Sequence, residues 1–273
     1  MTLKPHDPSM TPSDTREPEA NGAVASLEFS SLESPGGRHP IRYFSEVAST
    51  MEIARTLAAD GVPHFTVVAA DRQTQGRGRL SRNWLSADGG LYFTLILRPD
   101  AQPGLSFRFN LAASLVLART LRMLHGIDAK VKWPNDVMAG GKKIAGILAE
   151  MESDEKNIKF LNIGIGVNVN NDPSLFEPGA CSVASLIKKK TDKKKLLKLF
   201  LDDYEKFIRS SAMNDVPGEW KKETVTIGRP VEIVTIHNRF QGLATDMDQS
   251  GALILTCADG SEKKVIHGDC FHM

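Results

Sequence analysis

The stretch 71-DRQTQGRGRLSRNWL-85 decides how the rest of the chain is read. Arg72, Arg77, Arg79 and Arg82 fall within eleven residues, and Gly76 and Gly78 lie between them. Such a segment is a poor helix and a poor strand, because glycine is conformationally loose and the arginines have no apolar face to pack. It suits the gripping of anions. Glycines let backbone N–H groups come close, and guanidinium forks hold phosphate or carboxylate through two bonds at once.

The bulk properties put this cationic loop in an otherwise ordinary setting. The chain has 273 residues, 41% hydrophobic and 25% charged, with a net charge of +1. That describes a globular protein of one large or two smaller domains, with no overall attraction to nucleic acid or membrane. Any basic site must therefore be local. No apolar run is long enough for a transmembrane helix. Cys181, Cys257 and Cys270 are odd in number and far apart. They form no C-x-x-C pair, which argues against a disulfide framework or a zinc site and fits a reducing, cytoplasmic compartment.

Residues 1–38 hold Pro5, Pro8, Pro12, Pro18 and Pro35 among Ser, Glu and Asp, which predicts a disordered tail. The tail has no apolar core for a signal peptide, is too acidic for a transit peptide, and is too proline-rich for a helix-turn-helix. Ile41–Phe44 predicts a short strand. Ser49-Thr50-Met51-Glu52 matches a capping box, and Met51, Ala54, Leu57 and Ala58 give a helical stripe ended by Gly61. Ser49 therefore reads as an N-cap, with the added possibility that a helix start holds a polar ligand. Phe65–Ala70 and Leu91–Leu97 are apolar enough for buried strands.

Phe107, Leu111, Leu115, Ala118 and Leu121 space a long amphipathic helix that stops at Gly126. Ala129–Trp133 predicts a short strand. Val137–Met151 predicts a hairpin about Ala139-Gly140-Gly141, and Phe160–Val169 another strand. A second amphipathic helix covers Lys193–Ser210. From Thr226 onward, short strands at Val231–Ile236, Phe240–Met247, Ala252–Cys257 and Lys263–His267 predict a small barrel. No internal repeat is present.

Three further polar clusters lie at strand ends. Lys132-Trp133-Pro134-Asn135-Asp136 is either a charged surface turn or a rigid turn aiming polar groups at an anion, with Asp136 a candidate for a metal or a ribose hydroxyl. Lys143, within Gly140–Ile147, is either a snorkelling lysine or a site cation. Gly164-Ile165-Gly166-Val167-Asn168-Val169-Asn170 has glycines inside a strand, which weakens it unless something approaches the backbone. Its alternation places Asn168 and Asn170 on one face. Lys188–Lys195 holds six lysines in eight residues. It reads as a solvated loop rather than a nucleic-acid patch, since no aromatics are interleaved with it. No nucleophilic triad or histidine pair at metal-ligand spacing is present. Together the clusters suit bringing two anions together and stabilising charge in transfer.

In this order the loop and clusters resemble biotin protein ligases. The residues that carry the resemblance are Gly76-Arg77-Gly78-Arg79 with Trp84, Lys132-Trp133-Pro134-Asn135-Asp136, Lys143-Ile144-Ala145-Gly146-Ile147-Leu148 and Gly164-Ile165-Gly166-Val167-Asn168. The similarity runs from about Tyr43 to the C-terminus. It implies an α+β protein: a disordered tail at residues 1–38, a class II synthetase-like catalytic domain with a mixed β-sheet flanked by helices at 39–226, and an SH3-like β-barrel at 227–273. It also implies that ATP and biotin form biotinyl-5′-AMP with Mg²⁺, and that the biotinyl group passes to a lysine of a biotin carboxyl carrier domain. The tail composition fits the monofunctional type, without a DNA-binding domain. Homodimers occur in the family. No nucleic-acid or membrane partner is implied.

The same resemblance implies the site. Ser49, Thr50 and Gln73 would bind the biotin ring or its surroundings. Arg77, Gly78 and Arg79 would close over carboxylate and phosphates, with Gly76 beside them. Lys132, Arg77 and Arg79 would carry catalysis. Asn135, Asp136, Lys143, Asn168 and Trp84 would serve the adenylate, Asp136 also through Mg²⁺. Two positions depart from the family pattern. Leu80-Ser81 stands where Arg-Gly is common, and Met51 where Asn is common. The alternatives are a lipoate or octanoate ligase of the same fold, which lacks support because no Arg-Arg-x-Ser-Gly-Gly-Gly stretch occurs, and a non-enzymatic biotin-responsive regulator.

Overall fold

The arginine stretch leaves the end of a strand inside a seven-stranded mixed sheet. The computed structural model describes residues 39–273, so the expected disordered tail lies outside the described residues. Strand β1 (Ile41–Val47) runs parallel to β2 (Thr66–Gln73), and helix α1 (Thr50–Ala59) connects them. The other ladders are antiparallel. They join β3 (Leu91–Leu97), β4 (Ala129–Lys132), β5 (Asp136–Ala139), β6 (Lys142–Ser153) and β7 (Ile158–Val167) in the order β1-β2-β3-β7-β6-β5-β4. Phe65, expected in β2, sits at φ 68 and breaks the strand, while β2 runs on through Asp71 and Arg72 to Gln73.

The two faces of the sheet are covered differently, and this positions the site. Phe93, Leu95, Leu97, Ile163, Ile165 and Val167 point toward helices α2 (Ser106–His125), α3 (Val183–Ile187) and α4 (Lys193–Arg209), where the main apolar core lies. The alternate residues face α1, which packs Ala54 and Ala58 against Val68, Ile96 and Phe160. On that face the strands also present Thr94, Gly146, Gly164 and Gly166, with Gly146 paired to Gly166 and Thr94 to Gly164. The expected hairpin turns at Gly140 (φ 56) and Gly141 (φ 75), left-handed angles that suit glycine. Helix α2 ends at Gly126 (φ 66), and Asp192 caps α4 through its Oδ1.

The capping box at Ser49 does not form. Ser49 is the N-cap of α1 but makes no side-chain cap bond. The Gln73 side chain supplies the acceptor instead: its Oε1 takes the Thr50 N–H at 2.8 Å. Helices α3 and α5 (Val216–Lys221) were not foreseen. Helix α5 carries Pro and Gly, and it is held by the Asp215 cap and by Trp220, whose Nε1 donates to Ser114 Oγ at 3.1 Å.

The C-terminal module contains β8 (Pro230–Val234), β9 (Arg239–Met247), β10 (Leu253–Thr256), β11 (Glu262–Val265) and the unforeseen β12 (Asp269–His272). They form an antiparallel sheet in the order β11-β10-β9-β8-β12. Among the described residues no ladder joins β11 to β12, so strand pairing leaves the expected SH3-like barrel open. Trp133 pins this module to the main sheet: its backbone N–H meets Thr226 Oγ1 at 2.9 Å and its indole N–H meets Gly251 O at 3.0 Å.

Candidate active site

A cleft of about 460 Å³ opens over the α1 face, within the size range of small-molecule sites. Its floor is the backbone of Gly146, Gly164 and Gly166. The Trp84 indole lies directly on Gly146 and Gly166, and the Met51 Cε would be 2.7 Å from a Cβ at Gly164. Side chains at these strand positions would fill the cleft, which is why the sequence accepts weakened strands here.

One end of the cleft is lined by hydroxyls and an amide. Thr50 Oγ1 lies 3.0 Å from Gln73 Oε1 and 2.9 Å from Thr94 Oγ1, and Gln73 Nε2 donates to Ser86 Oγ at 2.8 Å. Ser49 Oγ is buried on the same wall without a hydrogen-bond partner. A buried hydroxyl left unsatisfied is costly, and a polar ligand would satisfy it. Gln73 holds the helix start with its oxygen and Ser86 with its nitrogen, so it fixes the wall as well as facing the cleft.

The other end is cationic. Arg77, Arg79, Arg82, Lys132 and Lys143 line it against the carboxylates Asp136, Glu177 and Asp269. Three of these cations carry a carboxylate partner. Arg77 Nη2 is 2.9 Å from Glu150, Lys143 Nζ is 2.9 Å from Asp136, and Arg82 Nη2 is 2.5 Å from Asp269. Arg79 instead donates to Gly268 O at 3.1 Å and Asn135 Oδ1 at 3.4 Å. Burial pulls its pKa down, and Asp269 and Asp136 oppose that. Among the described residues no carboxylate lies within salt-bridge reach of Lys132. It ends β4, and the turn behind it is stitched to β6 by Asn135 Nδ2 to Ile147 O at 2.5 Å and Ile147 N to Asn135 O at 2.9 Å.

The arginine stretch is an irregular hairpin. Bridges at Gln73–Ser86 and Arg77–Asn83 close it, and a single 3-10 turn, Arg79–Ser81, caps it with Leu80 at φ 51. Lys143 Nζ stands 5.2 Å from the centre of the Trp84 ring. A cation over an indole face is attracted by the ring's negative face.

Ser49, Thr50, Gln73, Arg77, Gly78, Arg79, Trp84, Lys132, Asn135, Asp136 and Lys143 all line the one cleft. Gly76 and Asn168 stand behind it. Gly76 O accepts from Trp84 N at 2.8 Å, and a Cβ there would run into the Trp84 carbonyl and Ser86 Oγ. The strand ends at Val167, so Asn168 leaves the expected alternation. Its side chain is buried and accepts from Asn171 Nδ2 at 2.9 Å, while Asn170 binds Thr191. The sequence reading placed Arg82 in the anion-gripping stretch without a role of its own, and it missed Thr94 and the module residues Asp269, Cys270 and Phe271 on the wall. A lone hydroxyl within the apolar run Leu91–Leu97 was the available signal for Thr94. Burial pushes the Cys270 thiol up to about 11.

A mixed sheet with a glycine floor, a cationic hairpin across it and an appended antiparallel module defines the class of biotin and lipoate protein ligases. The profile of the Biotin/lipoate A/B protein ligase family matches residues 43–170, and that of the Biotin protein ligase C terminal domain matches 226–273. The chain is 34% identical over 235 residues to the bifunctional ligase/repressor BirA of Bacillus subtilis, covering 83% of this chain and 72% of that protein. It is 30% identical over 207 residues to the biotin–[acetyl-CoA-carboxylase] ligase of Paracoccus denitrificans, covering 72% and 86%. Among solved structures it is similar to the biotin protein ligase from Aquifex aeolicus in complex with biotin and ATP, with a TM-score of 0.73, 29% identity, and 86% and 98% of the two chains covered. The chain belongs to the biotin protein ligase family, and it is a ligase.

Proposed function

We propose that the cleft condenses biotin with ATP to biotinyl-5′-AMP and pyrophosphate, then passes the biotinyl group to one lysine of a biotin carboxyl carrier domain. The observation that carries this reading is the division of one cavity into a neutral hydroxyl end and a cationic end. The neutral end, with Ser49 and Thr50, suits a flat polar ring. The cationic end suits a carboxylate beside a triphosphate. Two such anions repel, and Lys132, Arg77 and Arg79 offset that repulsion where charge builds up.

In the first step a biotin carboxylate oxygen attacks the α-phosphorus. A bond from carboxyl oxygen to phosphorus forms, the bond to the bridging oxygen breaks, and pyrophosphate leaves. In the second step the neutral amine of the acceptor lysine attacks the carbonyl carbon. AMP leaves and the amine loses a proton. Lys132 serves the bridging region between carboxylate and α-phosphate, and Trp84 and Asn135 serve the adenylate.

Mg²⁺ is usually held by one or two carboxylates plus substrate phosphates, and Asp136 in the cleft fits that pattern. Among the described residues no group of three or more His, Cys, Asp or Glu could hold a metal unaided, so the phosphates would supply most of its ligands. Bound with ATP, the ion would offset phosphate charge. The unpaired cysteines support a cytoplasmic location.

Exchange of labelled pyrophosphate into ATP tests the first step. The expected result is exchange with biotin and none with lipoate. Exchange with lipoate alone would move the pocket to the sister specificity, and no exchange with either would refute the reading.

A further inference from the structure

Glu150 lies outside the cleft wall yet holds a side chain on which the cleft depends. It stands on β6 on the same face as Gly146 and Leu148, two residues beyond Leu148. Its Oε1 pairs with Arg77 Nη2 at 2.9 Å, and its Oε2 is held by Arg55 of α1. The carboxylate therefore spans two elements, one oxygen on each. Helix α1 begins at the Ser49–Thr50 wall of the neutral end, and Arg77 belongs to the hairpin over the cationic end.

Arg77 sits between Gly76 and Gly78, which do little to restrict the backbone on either side. Its side chain is 38% exposed, and a long, partly exposed side chain in such a setting samples many rotamers unless something anchors it. Glu150 occupies one Nη of the guanidinium and leaves the other donors of the fork for an incoming anion.

We propose that Glu150 is a positioning residue that acts through Arg77, fixing its guanidinium over the cleft relative to the start of α1. This role rests on the ligase reading above. Because Glu150 does not face the reacting atoms, its loss weakens capture of the carboxylate substrate more than it slows turnover.

The test is a double-mutant cycle of Glu150→Gln and Arg77→Ala, with pyrophosphate release followed as biotin is varied. Thermal melting of each variant confirms that it is folded. Glu150→Gln is expected to raise the KM for biotin about tenfold while kcat stays within about twofold. In the Arg77→Ala background the same substitution is expected to change KM by less than about twofold, since the group it positions is gone. Calorimetric biotin Kd values for the four proteins give the same cycle should Arg77→Ala turn over too slowly to follow. A tenfold effect that persists without Arg77, or a Glu150→Gln variant with wild-type KM and Kd, would overturn the role and leave the ligase reading standing. A wild-type protein that neither binds biotin nor releases pyrophosphate would overturn both.

Discussion

Replacing Lys132 by methionine removes one charge from the cleft while keeping most of the side-chain volume. Lys132 lines the cleft at the end of β4, and among the described residues no carboxylate neutralises it. Its charge is thus available to substrate. A unit charge about 4 Å from a developing charge contributes roughly 4 kcal/mol at an effective dielectric of about 20. Removal of one preorganised donor costs about 3 kcal/mol of barrier in enzymes studied this way. The two figures bracket a loss of roughly a hundredfold to a thousandfold.

Arg82 is the control within the same cleft. Its side chain is 60% exposed and already paired with Asp269, so Arg82→Ala is expected to slow the step by less than about fivefold. Single-turnover formation of biotinyl-5′-AMP, with enzyme in excess over radiolabelled biotin, reads chemistry apart from product release. A Lys132→Met rate within fivefold of wild type would refute the assignment. So would an Arg82→Ala loss as large as that of Lys132→Met.

Three further outcomes are expected. Trp220 is fully buried away from the cleft and Trp133 borders it but is itself fully buried, whereas the Trp84 indole lies across the cleft floor, so most of the change in tryptophan fluorescence on adding biotin and ATP should be lost in Trp84→Phe. A residual change of wild-type size would place the nucleotide away from Trp84. Burial, with Lys132 and Arg229 adding to it, pushes the His272 imidazole down to about 4 from its ordinary 6.5. The native state therefore holds it neutral, and the unfolded chain takes the proton more readily. Its contribution to stability is fully present above pH 6.5 and is lost as the pH falls toward 4, so melting temperatures should decline across that window and decline less in His272→Gln. Trp220→Ala should destabilise the fold by about 3–5 kcal/mol in denaturant titrations, since it empties a fully buried site and removes the indole N–H that Ser114 Oγ accepts. A loss under 1 kcal/mol would mean that the core collapses into the space.

Local physics made part of the molecule legible and left part hidden. The buried part of β2, residues 66–70, and the strand Leu91–Leu97 announced themselves because both faces are covered and few polar residues interrupt them, whereas the polar continuation of β2 to Gln73 did not. Gly126 and Gly140-Gly141 marked ends and turns because their left-handed angles favour glycine. The glycines at 164 and 166 pointed to a close approach, and Met51 and the Trp84 indole are what approach them. Ser49 misled because a capping box is a local pattern, while the actual cap comes from Gln73 across the sheet. Asn168 misled because alternation was extended one residue past the strand end. The tie between Arg79 and Gly268 joins residues 189 positions apart, and nothing near either one signals it. Strand β12 is only four residues long and half polar, so its pairing with β8 settles it rather than any propensity.

The most direct measurement is the intact mass of a biotin carboxyl carrier domain after incubation with this protein, ATP and Mg²⁺, with biotin and lipoate offered together. The account predicts a gain matching one biotinyl group, lost when ATP is omitted. A lipoyl gain would keep the chemistry but contradict the pocket. No gain, with a proven ligase labelling the same acceptor, would contradict the account itself.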